Sequence, residues 1–292
     1  ALGGRANLER ALGWYQKGLE CSEVLAREQG TAERRRDLSV SYNHVGDVYQ
    51  VLGGRANLEQ ALERYQKGLD LREALAREQG TAQSRRDLAV SYSRVGEVHE
   101  ALGDRANLEE ALKRYQQALD NFEALAGELG TAESRRDLAV NYSQMGRVYE
   151  TLGGQTNLEQ ALEWYQKGLE LREALAEELD TAQSHRDLTM GYHRVGGVCK
   201  ALGGQANLEQ ALELYQKGLE YAEALQGHLH AVVQFHSFNL VHDRSPPVRI
   251  IPFGLVYFNR PPPIPQPGFH AMRGGCYPWI LTLFSCLAVE KQ

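Results

Sequence analysis

The sequence predicts an all-α protein, an α-α superhelix (solenoid) of antiparallel helix pairs that ends in an irregular C-terminal tail. Three observations predict it. The chain repeats itself at a shift of 50 residues: ALGGRANLERAL at residues 1–12 returns as VLGGRANLEQAL, ALGDRANLEEAL, TLGGQTNLEQAL and ALGGQANLEQAL. A fixed period of this size marks a solenoid, in which each unit buries its apolar face on its neighbours. All nine prolines fall between Pro246 and Pro278, so nothing before residue 246 removes a helix N–H or clashes with the preceding turn. Finally, apolar residues keep three-and-four spacing, as in Leu58, Ala61, Leu62, Tyr65, Leu69 and Leu75, and in Leu88, Tyr92, Val95, Val98 and Leu102, which is the spacing of one helical face.

Taken in order, the chain opens with an orphan second helix at 7–29, followed by four helix pairs at 31–79, 81–129, 131–179 and 181–229. Each pair begins at a threonine (Thr31, Thr81, Thr131, Thr181) whose hydroxyl suits the free N–H groups of an opening turn. The first helix stops at Gly53, Gly103, Gly153 or Gly203, a residue type that takes a left-handed conformation at little cost. The second helix is expected to begin at an asparagine cap, Asn57, Asn107 or Asn157, with Glu110 three residues after Asn107 completing a capping box. It stops at Gly80 or Gly130, where the fourth unit carries Asp180 instead. Residues 207–229 have an apolar face that a following unit would bury.

These residues resemble the tetratricopeptide repeat. An aromatic, an aliphatic with glycine, and a further large residue recur as Tyr42-Val45-Gly46-Tyr49, Tyr92-Val95-Gly96-His99, Tyr142-Met145-Gly146-Tyr149 and Tyr192-Val195-Gly196-Cys199. An alanine and a tyrosine four residues on recur as Ala61/Tyr65, Ala111/Tyr115, Ala161/Tyr165 and Ala211/Tyr215. The unit is longer than the family's usual 34 residues, the link between its helices is about three residues longer than the family norm, and the closing proline is missing. The long form is similar to the repeats of kinesin light chains and bacterial signalling proteins. The resemblance covers roughly residues 1–229. It implies a protein-binding array whose first helices line a concave face that holds a partner peptide or protein.

On those helices the positions between core residues vary from unit to unit. One row is Asn43, Ser93, Ser143, His193; a second is Asp47, Glu97, Arg147, Gly197; a third is Gln50, Glu100, Glu150, Lys200. The variation fits a groove whose chemistry changes along its length, or a solvated face that drifts freely. Chaperone-binding members of the family grip a terminal carboxylate with Lys and Asn at such places; these rows start acidic and do not support that ligand. The Arg36-Asp37, Arg86-Asp87, Arg136-Asp137 and Arg186-Asp187 pairs recur in every unit. Aspartate suits the positive end of the helix dipole and arginine does not, so each arginine is expected to pair with a carboxylate of a neighbouring helix.

Composition argues against several functions. The net charge of -6, with the excess of acid in the repeats, argues against a nucleic-acid partner. Cys21, Cys199, Cys276 and Cys286 form no C-x-x-C pair, so no zinc site, redox motif or disulfide framework is expected. No apolar run is long enough to span a bilayer, and a cytoplasmic location is the expectation. No cofactor is called for: L-G-G follows a helix and is a helix stop, not a phosphate-cradling loop. His185, His193 and Cys199 share a helix but no acid partner, and His228, His230, His236 and His242 match no ligand spacing. The expected function is a non-enzymatic scaffold binding a protein or peptide; the alternative is a sensor or regulatory segment of a larger signalling chain. The tail, 230–292, has lost the repeat register, and its residues 231–241 are expected either to cap the last apolar face or to leave it exposed. Beyond Ser245 an ordered domain is not expected, and PPPIPQP at 261–267 has the composition of an extended polyproline segment.

Overall fold

The computed structural model describes the backbone of residues 2–241 and the side chains of residues 4–223. The chain groups into two units, Ala1–Val233 and Gln234–Gln292, and all the side chains described below belong to the first. Among the described residues there are nine helices: α1 (Leu2–Gln29), α2 (Ala32–Leu52), α3 (Arg55–Gln79), α4 (Ala82–Leu102), α5 (Arg105–Leu129), α6 (Ala132–Leu152), α7 (Gln155–Leu179), α8 (Ala182–Leu202) and α9 (Gln205–Val241). From α1 to α8 each helix packs on the next in sequence. The even-numbered helices are the first helices of the units and the odd-numbered ones the second.

Only two residues separate one helix from the next. At the start of each first helix the threonine cap forms as expected. The hydroxyls of Thr31, Thr81, Thr131 and Thr181 accept from the amides of Arg34, Ser84, Ser134 and Ser184 at 3.1–3.2 Å. Thr181 and Ser184 close a full capping box, worth about 1 kcal/mol. The second helices depart from expectation. They begin two residues before the asparagine, at Arg55, Arg105 and Gln155, so the link is shorter than the sequence suggested and Asn57, Asn107 and Asn157 lie inside the first turn. Asp104 is the true cap of α5, accepting from the Asn107 amide at 3.0 Å. At α3 and α7 a glycine with positive φ (Gly54, 78°; Gly154, 80°) turns the chain instead. Asn57 and Asn157 then donate from Nδ2 to the carbonyls of Gly53 and Gly153 at 2.7 Å, which ties down the turn behind them. The asparagine is thus a staple for the preceding helix end, a role that satisfies an orphan carbonyl where a cap satisfies an orphan N–H.

The two ends of the array also differ from expectation. Helix α1 starts at Leu2, so Gly3 and Gly4 are helical although their counterparts Gly53 and Gly54 form a turn. Helix α9 runs on past residue 229 to Val241 without a break. No proline stands before Pro246 to stop it. Leu208, Leu212 and Leu219 of α9 are exposed; the side chains of 231–241, expected either to cap that face or to leave it bare, lie outside the described residues. The expectations for PPPIPQP, for Ser245 onward and for the histidines of the tail fall outside the described side chains.

The core follows the repeated aromatic and glycine positions. Val45, Val95, Val98, Val148 and Val195, with Leu69 and Leu119, are essentially inaccessible; burying each such side chain contributes about 1.5–3 kcal/mol. Tyr65, Tyr115 and Tyr165 are buried between them. Each presses on the glycine of its own unit's first helix: a Cβ on Gly46, Gly96 or Gly146 would stand 2.6, 2.8 or 2.7 Å from the tyrosine ring. Glycine here is a requirement of close approach between helices, and its backbone is ordinary α-helix. Among the described residues no helix is long and apolar enough to cross a membrane.

Candidate functional site

The first helices carry a ladder of ion pairs between units. Arg36 donates to Asp87, Arg86 to Asp137 and Arg136 to Asp187, each reaching the aspartate one unit ahead. This is the neighbouring carboxylate that the Arg-Asp pattern demanded. A second ladder joins first helices to second helices: Arg35 to Glu78, Arg85 to Glu128 and Arg135 to Glu178. A third holds tyrosines. Tyr42, Tyr92, Tyr142 and Tyr192 donate to Glu23, Glu73, Glu123 and Glu173 at 2.7–3.0 Å. Burial, and then the glutamate partner, pushes Tyr42, Tyr92 and Tyr142 up to about 12.

The varied rows largely join units to one another. Asp47 accepts from the Tyr65 hydroxyl at 2.6 Å and from Arg94 of the next unit, and Gln50 accepts from Tyr65 at 2.9 Å. Glu97 accepts from Gln144 at 2.9 Å; burial pushes its carboxyl up despite Arg147 and Arg94 nearby. Glu100 accepts from Tyr115 and takes both arms of Arg147, whose pKa rises through that contact. Glu150 accepts from Tyr165 at 2.8 Å. Asn43 lies against Gly68 of α3. The Ser93 hydroxyl is buried without a partner among the described residues. Ser143 accepts from Arg172 at 2.8 Å. His193 and Lys200 are exposed, with His193 against the Tyr215 ring at 5.5 Å. The structure therefore brings Asp47, Gln50, Glu97, Glu100, Ser143, Arg147 and Glu150 into contacts within the array, and leaves His193 and Lys200 facing outward.

A groove of about 710 Å³ is lined by residues of α4, α6, α7 and α8. Its floor includes Val140, Met190 and Leu179, and its polar lining includes Arg147, Arg172 and Arg194. Val140 and Met190 continue a row whose earlier members are Val40 and Val90. These four side chains are 38, 36, 48 and 48% exposed. The row was missed in the sequence because it lies off the core stripe. Val140 stands two residues, about 200° of helix turn, from buried Leu138. A valine or methionine recurring on the polar face in every unit was the available signal.

Arg172 and Arg194 were also missed. Arg172 is 8% exposed, and its Nη2 donates to the Ala139 carbonyl at 2.9 Å and to Ser143 Oγ. Burial lowers it to about 10. Asp187, the nearest acid acting on it, is bound instead to Arg136 at 2.7 Å. The counterpart of Arg172 in the first unit, Arg72, bonds to Asp87 directly. Arg194 stands over the Tyr165 ring at 5.7 Å, as Arg94 stands over Tyr65. Arg94, however, holds Asp47, and Arg147 occupies the corresponding place before Arg194. Among the described residues neither Arg172 nor Arg194 has a carboxylate within ion-pair distance, 4.0 Å.

No catalytic constellation forms among the described residues. His185 sits 3.1 Å from Asp180 and against Tyr221, His193 is elsewhere on the helix, and the Cys199 thiol is buried, which pushes its pKa up. No group of three or more His, Cys, Asp or Glu side chains suited to a metal occurs among the described residues.

The geometry defines a helical repeat protein of the solenoid kind. No family model and no curated protein matches the chain. Solved structures similar to it are themselves repeat proteins. BtubC (BKLC) of P. vanneervenii is 18% identical over 75% of this chain and 92% of that one, with a TM-score of 0.45. A signal transduction ATPase with numerous domains and a tetratricopeptide repeat sensor, from Pyrococcus horikoshii, is 19% identical over 78% of this chain and 29% of that one, with a TM-score of 0.47. The de novo designed helical repeat protein DHR81 is 20% identical over 73% of this chain and 95% of that one, with a TM-score of 0.41.

Proposed function

We propose that the array is a tetratricopeptide-type scaffold, without catalytic activity of its own, that holds a partner protein or peptide along the face of its first helices. The observation that carries this reading is the row Val40, Val90, Val140 and Met190. Apolar side chains scattered singly on a surface need no explanation, but an exposed apolar residue repeated at the same place in every unit, two of its members, Val140 and Met190, lining a groove, fits a binding surface. The charged rows beside it are tied into the ladders and give the groove a fixed wall, so a ligand meets a preorganised surface. A cytoplasmic protein partner fits the acidic net charge and the thiols better than nucleic acid does. The same groove would serve a sensor segment of a longer signalling chain.

Peptide selection followed by mutation tests the reading. The full chain is used to select binders from random dodecamers displayed between fixed flanks. Val140→Asp should weaken the selected peptides while circular dichroism stays unchanged, and Lys167→Glu, on the outer face of α7, should not. Peptides sensitive only to Lys167→Glu would place the site on the second helices and overturn the reading.

A further inference from the structure

We propose that the joint between α7, α8 and α9 is a site for a divalent transition-metal ion of the zinc type, ligated by Asp180, His185 and His228. The inference is independent of the scaffold reading and concerns how the last unit is held.

Three replacements fall together at this joint. In the preceding units Arg35, Arg85 and Arg135 each pair with a glutamate 43 residues further on, Glu78, Glu128 and Glu178. In the last unit the arginine is replaced by His185, and the residue 43 positions on is His228. The glycine that precedes each first helix, Gly30, Gly80 or Gly130 elsewhere, is here Asp180. A guanidinium and a carboxylate neutralise each other. Two imidazoles do not, and a pair of them beside a carboxylate is a ligand set that zinc takes, with water in the fourth place. Calcium and magnesium prefer oxygen ligands throughout, so the imidazoles point to a transition metal.

The described part of the site has matching geometry. Asp180 Oδ1 stands 3.1 Å from His185 Nε2. Two atoms that ligate one tetrahedral zinc at about 2.0–2.2 Å are about 3.3 Å apart, so this pair already stands near the separation of shared ligands. The His185 side chain is 14% exposed, with the Tyr221 ring against it at 5.5 Å. Asp180 faces solvent, which leaves the ion a way in. Residue 228 comes to the joint by register. Helix α9 packs on α8 as the other second helices pack on their partners: a Cβ on Gly196 would stand 2.9 Å from the Tyr215 ring, against 2.6–2.8 Å for the tyrosines facing Gly46, Gly96 and Gly146. The helix runs without a break through residue 228. That residue therefore holds the place from which Glu78, Glu128 and Glu178 meet their arginines. Its side chain is outside the described residues, and its assignment rests on this register. A bound ion would tie the end of α7 to α8 and α9, where the other units use an ion pair.

The test titrates the metal-free full chain with Zn²⁺ by calorimetry and with Co²⁺ by visible absorption. Saturable binding of a single ion is expected at this joint, together with a higher melting temperature in zinc. Asp180→Asn, His185→Gln and His228→Gln should each weaken binding about tenfold or more, with circular dichroism unchanged. Joint replacement of His230, His236 and His242 by Gln should leave binding as it was, and so should Cys276→Ser with Cys286→Ser. His185→Arg with His228→Glu, which restores the residues of the other units, should abolish the zinc response and keep the helical signal. The absence of saturable binding would overturn the proposal. Binding that survives His185→Gln, or that depends on the tail histidines or cysteines instead, would overturn it too. Indifference to His228→Gln would reduce Asp180 and His185 to a hydrogen-bonded pair and overturn the site as assigned.

Discussion

The segment α2–α4 and the segment α6–α8 are built from the same repeat, yet one closes its charges internally and the other does not. In α2–α4, Arg72 meets Asp87 and Arg94 meets Asp47, and the pocket at that place is about 240 Å³. In α6–α8, Arg172 folds onto Ala139 and Ser143, Arg194 lacks a carboxylate partner, and the groove is about 710 Å³. The core beneath is the same in both. Solenoid units contact mainly their neighbours, so single replacements such as Asn43 to Ser143 and Asp47 to Arg147 change a local surface without disturbing the rest. A repeat architecture can in this way hold its fold constant and vary its groove.

The first way to sharpen the comparison is to strain what the halves share. Gly46→Leu and Gly146→Leu should each cost about 3 kcal/mol by overpacking against Tyr65 and Tyr165, equally in both halves, as measured by urea unfolding. Unequal costs would mean that the two cores are not equivalent. The second way is to remove what differs. Arg72→Met should cost about 2 kcal/mol, because Asp87 loses a buried partner. Arg172→Met should be neutral or stabilising, because it removes a buried charge that has no carboxylate. Equal costs would mean that Arg172 is as well paired as Arg72.

A third prediction concerns the tyrosine ladder, which runs through both halves. Tyr92 and Tyr142 are each raised to about 12 from an ordinary value of 10.0, by burial first and then by Glu73 and Glu123. A tyrosine that holds its proton more firmly when folded contributes stability that is fully present below about pH 10. That contribution disappears as the pH rises through about 12. Unfolding midpoints should therefore fall across this window, and Tyr92→Phe and Tyr142→Phe should flatten the fall alike. The smallest effect is expected at Asp180, which holds φ 44° where the other units have glycine. Asp180→Gly should raise stability by about 0.5 kcal/mol, the relief of a left-handed residue partly offset by the more flexible unfolded chain and the lost His185 contact.

Much of the architecture was legible in the sequence because its signals are local and repeated. Thr81, Gly96 and Tyr115 each report a cap, a close approach or a core position, and each recurs in phase. The arginine of Arg86-Asp87 could be assigned to a neighbour because the helix dipole disfavours it where it stands. The asparagines misled: Asn57 has the chemistry of a cap, and only the turn geometry shows that it serves the preceding carbonyl. The end of α9 misled because loss of the repeat register is not a helix stop. In the groove, the sequence marked varied positions but could not say which face outward. Asp47, Glu97 and Glu100 meet residues 47 positions further along, Arg94, Gln144 and Arg147, and that relation exists only once the helices are stacked. Arg172 was invisible for a related reason. Its direction is set by whether Asn or Ser stands 29 residues earlier, across a helix contact.

The central claim is that Arg72 is neutralised within the array and Arg172 is not. Double-mutant cycles on the full chain, pairing Arg72→Met with Asp87→Asn and Arg172→Met with Asp187→Asn, measure it most directly. The account predicts a coupling of about 1–3 kcal/mol for the first pair and below about 0.5 kcal/mol for the second. Equal couplings would show that Arg172 is paired with Asp187 in solution, and that the two segments neutralise this arginine alike.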